Sequence, residues 1–313
     1  MLDYFAKRNF SIEQIPDLTG KIAIITGSST GIGKVCALEM ARKGCTVVLA
    51  CRNQEKTKTV VEEIKAETGN QNVDFIQLDL LKLDSVTKFA QEFKSRYTHL
   101  HILLNNAGVM MSPFALSEDG IESQFATNHV AHYYLTMLLL PVLECSTPSR
   151  IVNVSSMAHN IHFKKLNLET ISDPKKYNRT IHYAKSKTCN ILFTRELTKR
   201  LEAKGSNVFV NANHPGIVAS DLSRHIVGIN SLGSYLYNKL LCISAEDGAL
   251  TQLYLATSPD VENEKIKGKY YVPFANVQLP NGVASQDDTP LELWNFTENL
   301  LKEKVKGYEG API

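Results

Sequence analysis

Short apolar, β-branched runs alternate with helical stretches along nearly the whole chain, and this rhythm leaves few architectures open. Residues 21–26 (KIAIIT), 46–50 (TVVLA), 74–78 (DFIQL), 101–104 (HILL), 150–154 (RIVNV), 208–212 (VFVNA) and 269–272 (KYYV) read as strands. Helical patterns lie between most of them. Strands joined by helical crossovers run parallel, and a parallel sheet is covered by helices on both faces. The expected fold is therefore α/β: one doubly wound parallel sheet of about seven strands.

Length and composition fit one such unit. The 313 residues are 43% hydrophobic, enough for a large core. Net charge is +2, from 34 basic and 32 acidic residues, with no basic run that would call for nucleic acid. The six cysteines form no CxxC pair and no His/Cys cluster, so neither a metal site nor a disulfide framework is expected, and a reducing cytosol fits. The densest apolar run, 133–143, is broken by Thr136 and Pro141 and reads as a buried helix rather than a membrane span. Residues 1–10 carry Asp3, Lys7 and Arg8, lack a signal-peptide core and read as a frayed terminus, with weak association to a membrane surface as the alternative. The expectation is a cytoplasmic protein with an extension at 1–18, a main domain at 19–282 and a helical tail at 283–313. Two segments break the strand–helix rhythm, 157–182 and about 220–245; both follow strand ends, where sheets of this kind place their sites.

The first strand runs into Thr26-Gly27-Ser28-Ser29-Thr30-Gly31-Ile32-Gly33, and a helix follows. A dinucleotide pyrophosphate needs free backbone N–H groups, close approach and a helix N-terminus, and a glycine loop at this place supplies all three. Gly27, Ser29, Thr30, Gly31, Ile32 and Gly33 are therefore candidate cofactor contacts in a Rossmann-type domain. The second strand ends in Cys51 and Arg52 where an acidic residue would hold a ribose diol. A guanidinium suits a 2′-phosphate, so NADP is expected over NAD. Asp79, followed by Leu80, closes the third strand, either against the adenine or as an ordinary strand-end cap.

Tyr183 and Lys187 are four apart on a helical pattern and share one face. An ammonium about 4 Å from a phenolate stabilises it by roughly 4 kcal/mol at an effective dielectric near 20, before burial opposes it. A phenol with a free pKa near 10 could thus be drawn down to work as an acid or base.

Together these residues resemble the short-chain dehydrogenase/reductases. The matching strings are TGSSTGIG (26–33), NNAG (105–108), Asn128, Ser156, YAKSK (183–187) and HPG (214–216), in that order. Within the family, ACRN (50–53), IVNVSSMAH (151–159) and SKTCNILFTREL (186–197) are similar to the retinol-dehydrogenase-like branch, as is the separation of 27 residues between Ser156 and Tyr183. The resemblance implies an NADP-linked carbonyl reductase or alcohol dehydrogenase. Tyr183 would be the general acid or base, with Lys187 tuning it and holding the nicotinamide ribose. Ser156 would polarise the substrate oxygen, with its neighbour Ser155 as the alternative. Asn128 would order a water relay to Lys187. Asn106, Ala107 and Gly108 would line the cofactor, and Pro215, Gly216, Ile217, Val218 and Ser220 would cover its carboxamide.

The segment at 220–245 contains Ile226, Val227, Leu232, Tyr235 and Leu236 and reads as an apolar lid. With Met157, Ile161 and Phe163 near the mouth, it suits a hydrophobic aldehyde, ketone or alcohol. A catalytically silent NADP sensor or scaffold and a C=C reductase are the alternatives. Many members of the family pair as homodimers through the helices carrying Tyr183 and Asn128, while longer members can be monomers.

Overall fold

The apolar runs pair as one sheet. In a computed structural model that describes residues 6–218 and 242–313, its strands are β1 (Ile22–Thr26), β2 (Thr46–Cys51), β3 (Val73–Gln77), β4 (Ile102–Asn105), β5 (Ser149–Val154), β6 (Val208–Asn213), β7 (Tyr270–Val272) and β8 (Asn276–Gln278). They lie in the order β3-β2-β1-β4-β5-β6-β7-β8. The first seven are parallel, as the alternation predicts. The eighth, antiparallel to β7, is additional. Its sequence, NVQ, carries no strand pattern. It pairs because the chain reverses through Phe274 and Ala275, both at positive φ, and meets the free edge of β7.

The principal helices are α1 (Gly31–Arg42), α2 (Gln54–Thr68), α3 (Leu83–Arg96), α4 (Ala131–Cys145), α5 (Arg179–Ala203), α6 (Ala245–Thr257) and α7 (Thr289–Lys304). Successive strand side chains point to opposite faces. Ile24, Leu103, Ile151 and Val210 enter the core shared with α3, α4, α5 and α7, where Phe89, Leu135, Leu192 and Trp294 pack. Ile25, Leu104, Val152 and Phe209 enter the core under α1, α2 and α6, with Met40, Ile64 and Leu253. Helix α5 begins at Arg179, earlier than Tyr183, because the Asn178 side chain caps it by accepting from Thr180 N and Ile181 N. Asn128 lies in a π turn, Ala126–Val130, immediately before α4, where the sequence suggests an unbroken helix.

The N-terminal segment is bound from Arg8 onward rather than frayed. Arg8 pairs with Asp247 at 2.6 Å, Asn9 N donates to Phe274 O at 3.1 Å, and Phe10, Ile15 and Leu18 are buried in the core. At the other end, the Glu298 carboxylate accepts from the hydroxyls of Tyr133 and Tyr308 and from Ala311 N, which pins the last residues to α4 and α7. Among the described residues, no helix is long and apolar enough to cross a membrane, and no cluster of side chains could hold a metal ion. The strand order reverses between β1 and β4, so the crevice for a ligand opens at the C-terminal ends of those strands.

Candidate active site

The glycine loop sits at that reversal. Gly27 has φ 67°, and a β-carbon there would come within 2.9 Å of Ala107 Cα. A β-carbon on Gly33 would lie 2.6 Å from both Gly27 O and Asn106 Nδ2, so α1 can approach the loop this closely only with glycine at that position. Ser28 turns inward: its N–H donates to Cys51 Sγ and its hydroxyl to Ile25 O. Thr30 occupies the N-cap of α1 without a capping side-chain hydrogen bond, which leaves the first-turn N–H groups of a 12-residue helix facing the crevice. These features fit a dinucleotide pyrophosphate.

Around this loop the sequence-predicted residues have different fates. Arg52 is exposed at the end of β2, and Cys51 beside it is buried with its sulfur turned to Ser28, so no carboxylate occupies the strand end. Asp79 uses one carboxylate oxygen to accept from Leu81 N at 3.1 Å, as a strand-end cap would. The Leu80 side chain is buried in the core, leaving only its backbone for a ligand. Asn106 is held on three sides. Its amide donates to Thr26 O, its backbone N–H donates to Thr26 Oγ1, and its carbonyl oxygen accepts from Gln252 on α6. Ala107 N also donates to Thr26 Oγ1. In the sequence Thr26 reads only as the opening of the loop, with no role of its own, and Gln252 does not stand out. The threonine directly before Gly27 is a local signal, whereas Gln252 reaches the site from 146 residues away.

The second half gathers at the end of β5. Ser155 donates to Lys187 O at 2.7 Å and is thereby turned into the backbone of α5. Ser156 accepts from Ala158 N and its hydroxyl lies close enough to Tyr183 to favour the phenolate, so the second serine of the pair is the one beside the phenol. Lys187 Nζ lies 6.0 Å from the centre of the Tyr183 ring and donates to Val154 O at 3.0 Å. Asn128 accepts from Val109 N and donates to Val109 O and Ser186 Oγ. A β-carbon on Gly108 would be 3.1 Å from Asn128 Oδ1 and 3.3 Å from Lys187 Nζ, so Gly108 runs directly past both. Asn128, Ser156, Tyr183 and Lys187 are thus brought together.

The electrostatics differ from the simple expectation. Tyr183 is 3% exposed, and burial pushes its phenol up to about 12, with the nearby Ser156 hydroxyl opposing. Burial also brings Lys187 down to about 8. Burial sets both directions, because both groups lie deep beneath the strand ends. The sequence supplied the spacing but not the burial.

Beneath the site runs a buried polar ladder that sequence reasoning missed. Asn105 donates to Thr136 and Asn153, Asn153 to Thr194, Thr194 to Asn190 O, and Asn190 to the same Val154 carbonyl that receives Lys187.

At the end of β6, Gly216 N donates to His214 Nδ1, and Val218 bridges to Ile243 after Pro215 and Ile217. Ser220 and nearly all of the expected lid lie outside the described residues. Met157 is exposed, while Ile161 and Phe163 are half-buried.

A doubly wound parallel sheet with a glycine loop at its reversal and a Ser–Tyr–Lys group at the neighbouring strand end defines a nucleotide-dependent oxidoreductase. The chain belongs to the short chain dehydrogenase family, whose profile matches residues 21–228. It is 41% identical to human (Homo sapiens) retinol dehydrogenase 13 over 306 residues, covering 95% of this chain and 89% of that one. It is 40% identical to human retinol dehydrogenase 11 over 284 residues, with 91% and 86% covered, which places it in the retinol-dehydrogenase-like branch. Among solved structures, an uncharacterized protein from Mycobacterium Paratuberculosis superposes with a TM-score of 0.74 at 33% identity, covering 94% of this chain and 97% of that one. A short chain dehydrogenase from Escherichia coli CFT073, complexed with NADPH, gives a TM-score of 0.64 at 25% identity, covering 82% and 98%. Membership makes this chain an NAD(P)-dependent oxidoreductase.

Proposed function

We propose that this chain interconverts a hydrophobic aldehyde or ketone and its alcohol, with NADP preferred over NAD and Tyr183 as the acid or base. One observation carries the reading: Ser156, Tyr183 and Lys187 converge at the end of β5, beside the Gly108 strip that leads back to the glycine loop. When bound, the nicotinamide cofactor supplies or accepts the hydride.

Tyr183 keeps its proton throughout the neutral range and is poised to donate it to a carbonyl oxygen as that oxygen gains charge. Ser156 donates its one hydroxyl proton toward the same oxygen. Lys187, charged below about 8, faces the developing negative charge and orients the ribose. Asn128 orders the path by which Lys187 exchanges its proton with solvent. Gly27, Ser29, Thr30, Gly31, Ile32 and Gly33 take the pyrophosphate, and Arg52 takes the 2′-phosphate. Asp79 contacts the adenine through its second oxygen, and Leu80 does so through its backbone. Asn106, Ala107 and Gly108 line the ribose, and Pro215, Gly216, Ile217, Val218 and Ser220 take the carboxamide. The exposed Met157 and the apolar residues of 220–245 favour a hydrophobic substrate. The names of the relatives support the same choice.

The test is cofactor oxidation by the purified chain with NADPH, then NADH, across a panel of aldehydes, ketones and enones. Aldehyde-dependent NADPH oxidation is expected. Arg52→Ala is expected to lower kcat/KM for NADPH about tenfold or more while leaving NADH use unchanged. NADPH binding without turnover on any panel member would support a sensor instead, and turnover of enones alone would support a C=C reductase.

A further inference from the structure

We propose that His132 is a positioning residue that ties the root of the cofactor loop to the Asn128 carbonyl, and so fixes the cofactor strip against Lys187. The inference rests on the oxidoreductase reading above.

His132 is the second residue of α4 and is 3% exposed. Its Nδ1 lies 3.2 Å from Asn128 O, and its Nε2 lies 2.9 Å from Thr26 Oγ1. A carbonyl can only accept, so Nδ1 carries the ring proton. In a neutral ring Nε2 is then a bare acceptor, and the Thr26 hydroxyl must donate to it. The alternative acceptor for that hydroxyl, Leu104 O, is further away at 3.4 Å. The Thr26 oxygen keeps its lone pairs for Asn106 N and Ala107 N, both at 2.9 Å. Burial and the nearby Lys187 charge both keep the ring neutral at physiological pH. All hydrogen-bond directions are therefore set. The chain runs from the Asn106 and Ala107 amides through Thr26 and His132 to the Asn128 carbonyl.

The two ends of this chain reach different parts of the site. Thr26 opens the glycine loop and holds the strip Asn106–Ala107. Asn128 grips Val109 with both ends of its amide and holds Ser186 on α5. Gly108, between the two grips, passes Lys187. A rigid imidazole of fixed tautomer spans the gap between α4 and β1 at one distance.

The two ring nitrogens can be removed separately in the full-length chain. His132→Asn keeps a donor near Nδ1 for Asn128 O and gives up the Thr26 link. His132→Gln keeps an acceptor near Nε2 for Thr26 and gives up the Asn128 link. NADPH affinity by calorimetry, kcat at saturating NADPH and thermal midpoint are read for each. The Asn variant is expected to weaken NADPH binding about tenfold while kcat stays within about threefold; the Gln variant is expected to show the reverse. Parallel losses in both quantities that track the midpoint would overturn the proposal, as would no change in either. Should the wild type reduce no carbonyl, the function proposed above fails, yet the NADPH affinities still decide the loop half of this inference. Should a variant not fold, 15N–1H spectra of wild-type histidine side chains decide it. The Nδ1–H tautomer of His132 is expected at pH 7, and the Nε2–H tautomer would overturn it.

Discussion

Lys187 carries the clearest consequence at the scale of single residues. Its ammonium is buried, with Val154 O as its hydrogen-bond acceptor, and burial lowers its pKa to about 8. Tyr183, at about 12, does not titrate in the working range. A rise in pH through about 8 therefore removes the charge facing the phenol while leaving the phenol protonated. We predict that kcat for carbonyl reduction falls across that step, and that Lys187→Met shows a low, flat profile with no step. A wild-type rate independent of pH from about 6 to 10 would contradict the assignment. The spacing of Tyr183 and Lys187 was legible because i, i+4 geometry is local. The direction of the Tyr183 shift was not, because it follows from how deeply other parts of the chain bury the pair.

Strand β6 shows what a single element can hide. Its last residue, Asn213, is fully buried, and among the described residues neither its amide nitrogen nor its amide oxygen has a hydrogen-bond partner. In register it stands between Val154 on β5 and Tyr271 on β7, both of which belong to the apolar layer under α1, α2 and α6. An amide buried without partners costs about 1–3 kcal/mol by mutational measure. Asn213→Leu, close in volume, is therefore expected to stabilise the fold by an amount in that range, read as a higher denaturant midpoint at unchanged slope. A lower midpoint would contradict this account of the strand. In the sequence, VNANHPG reads only as a strand running into a loop, since pairing partners are set by register with segments about 60 residues away. The same limit hid the ladder through Asn105, Asn153 and Thr194, and it hid β8, whose three residues become a strand only against β7. By contrast, the glycine loop and the first seven strands follow from residues adjacent in sequence and were legible.

At the scale of the whole molecule, α5 is enclosed by its own chain. From His182 to Thr198 every residue but Arg195 is buried. Helix α7 lays Leu293, Trp294 and Leu301 against Phe193, Leu197 and Leu201, and Arg200 sits 4.3 Å over the Trp294 ring. Helix α5, one of the two helices that the family resemblance offers for pairing, thus lacks a free face from His182 to Thr198 among the described residues. We predict a monomer of 34.9 kDa by light scattering; twice that mass at micromolar concentration would contradict it. The enclosure also holds the tyrosine rigidly beneath the cofactor strip, on which the proposed chemistry depends. The most direct test of that chemistry is NADPH-dependent aldehyde reduction by Tyr183→Phe, with NADPH affinity measured alongside. The account predicts a loss in kcat of about 10²-fold or more with affinity within about threefold of wild type. A variant that binds NADPH and reduces aldehyde at the wild-type rate would contradict it.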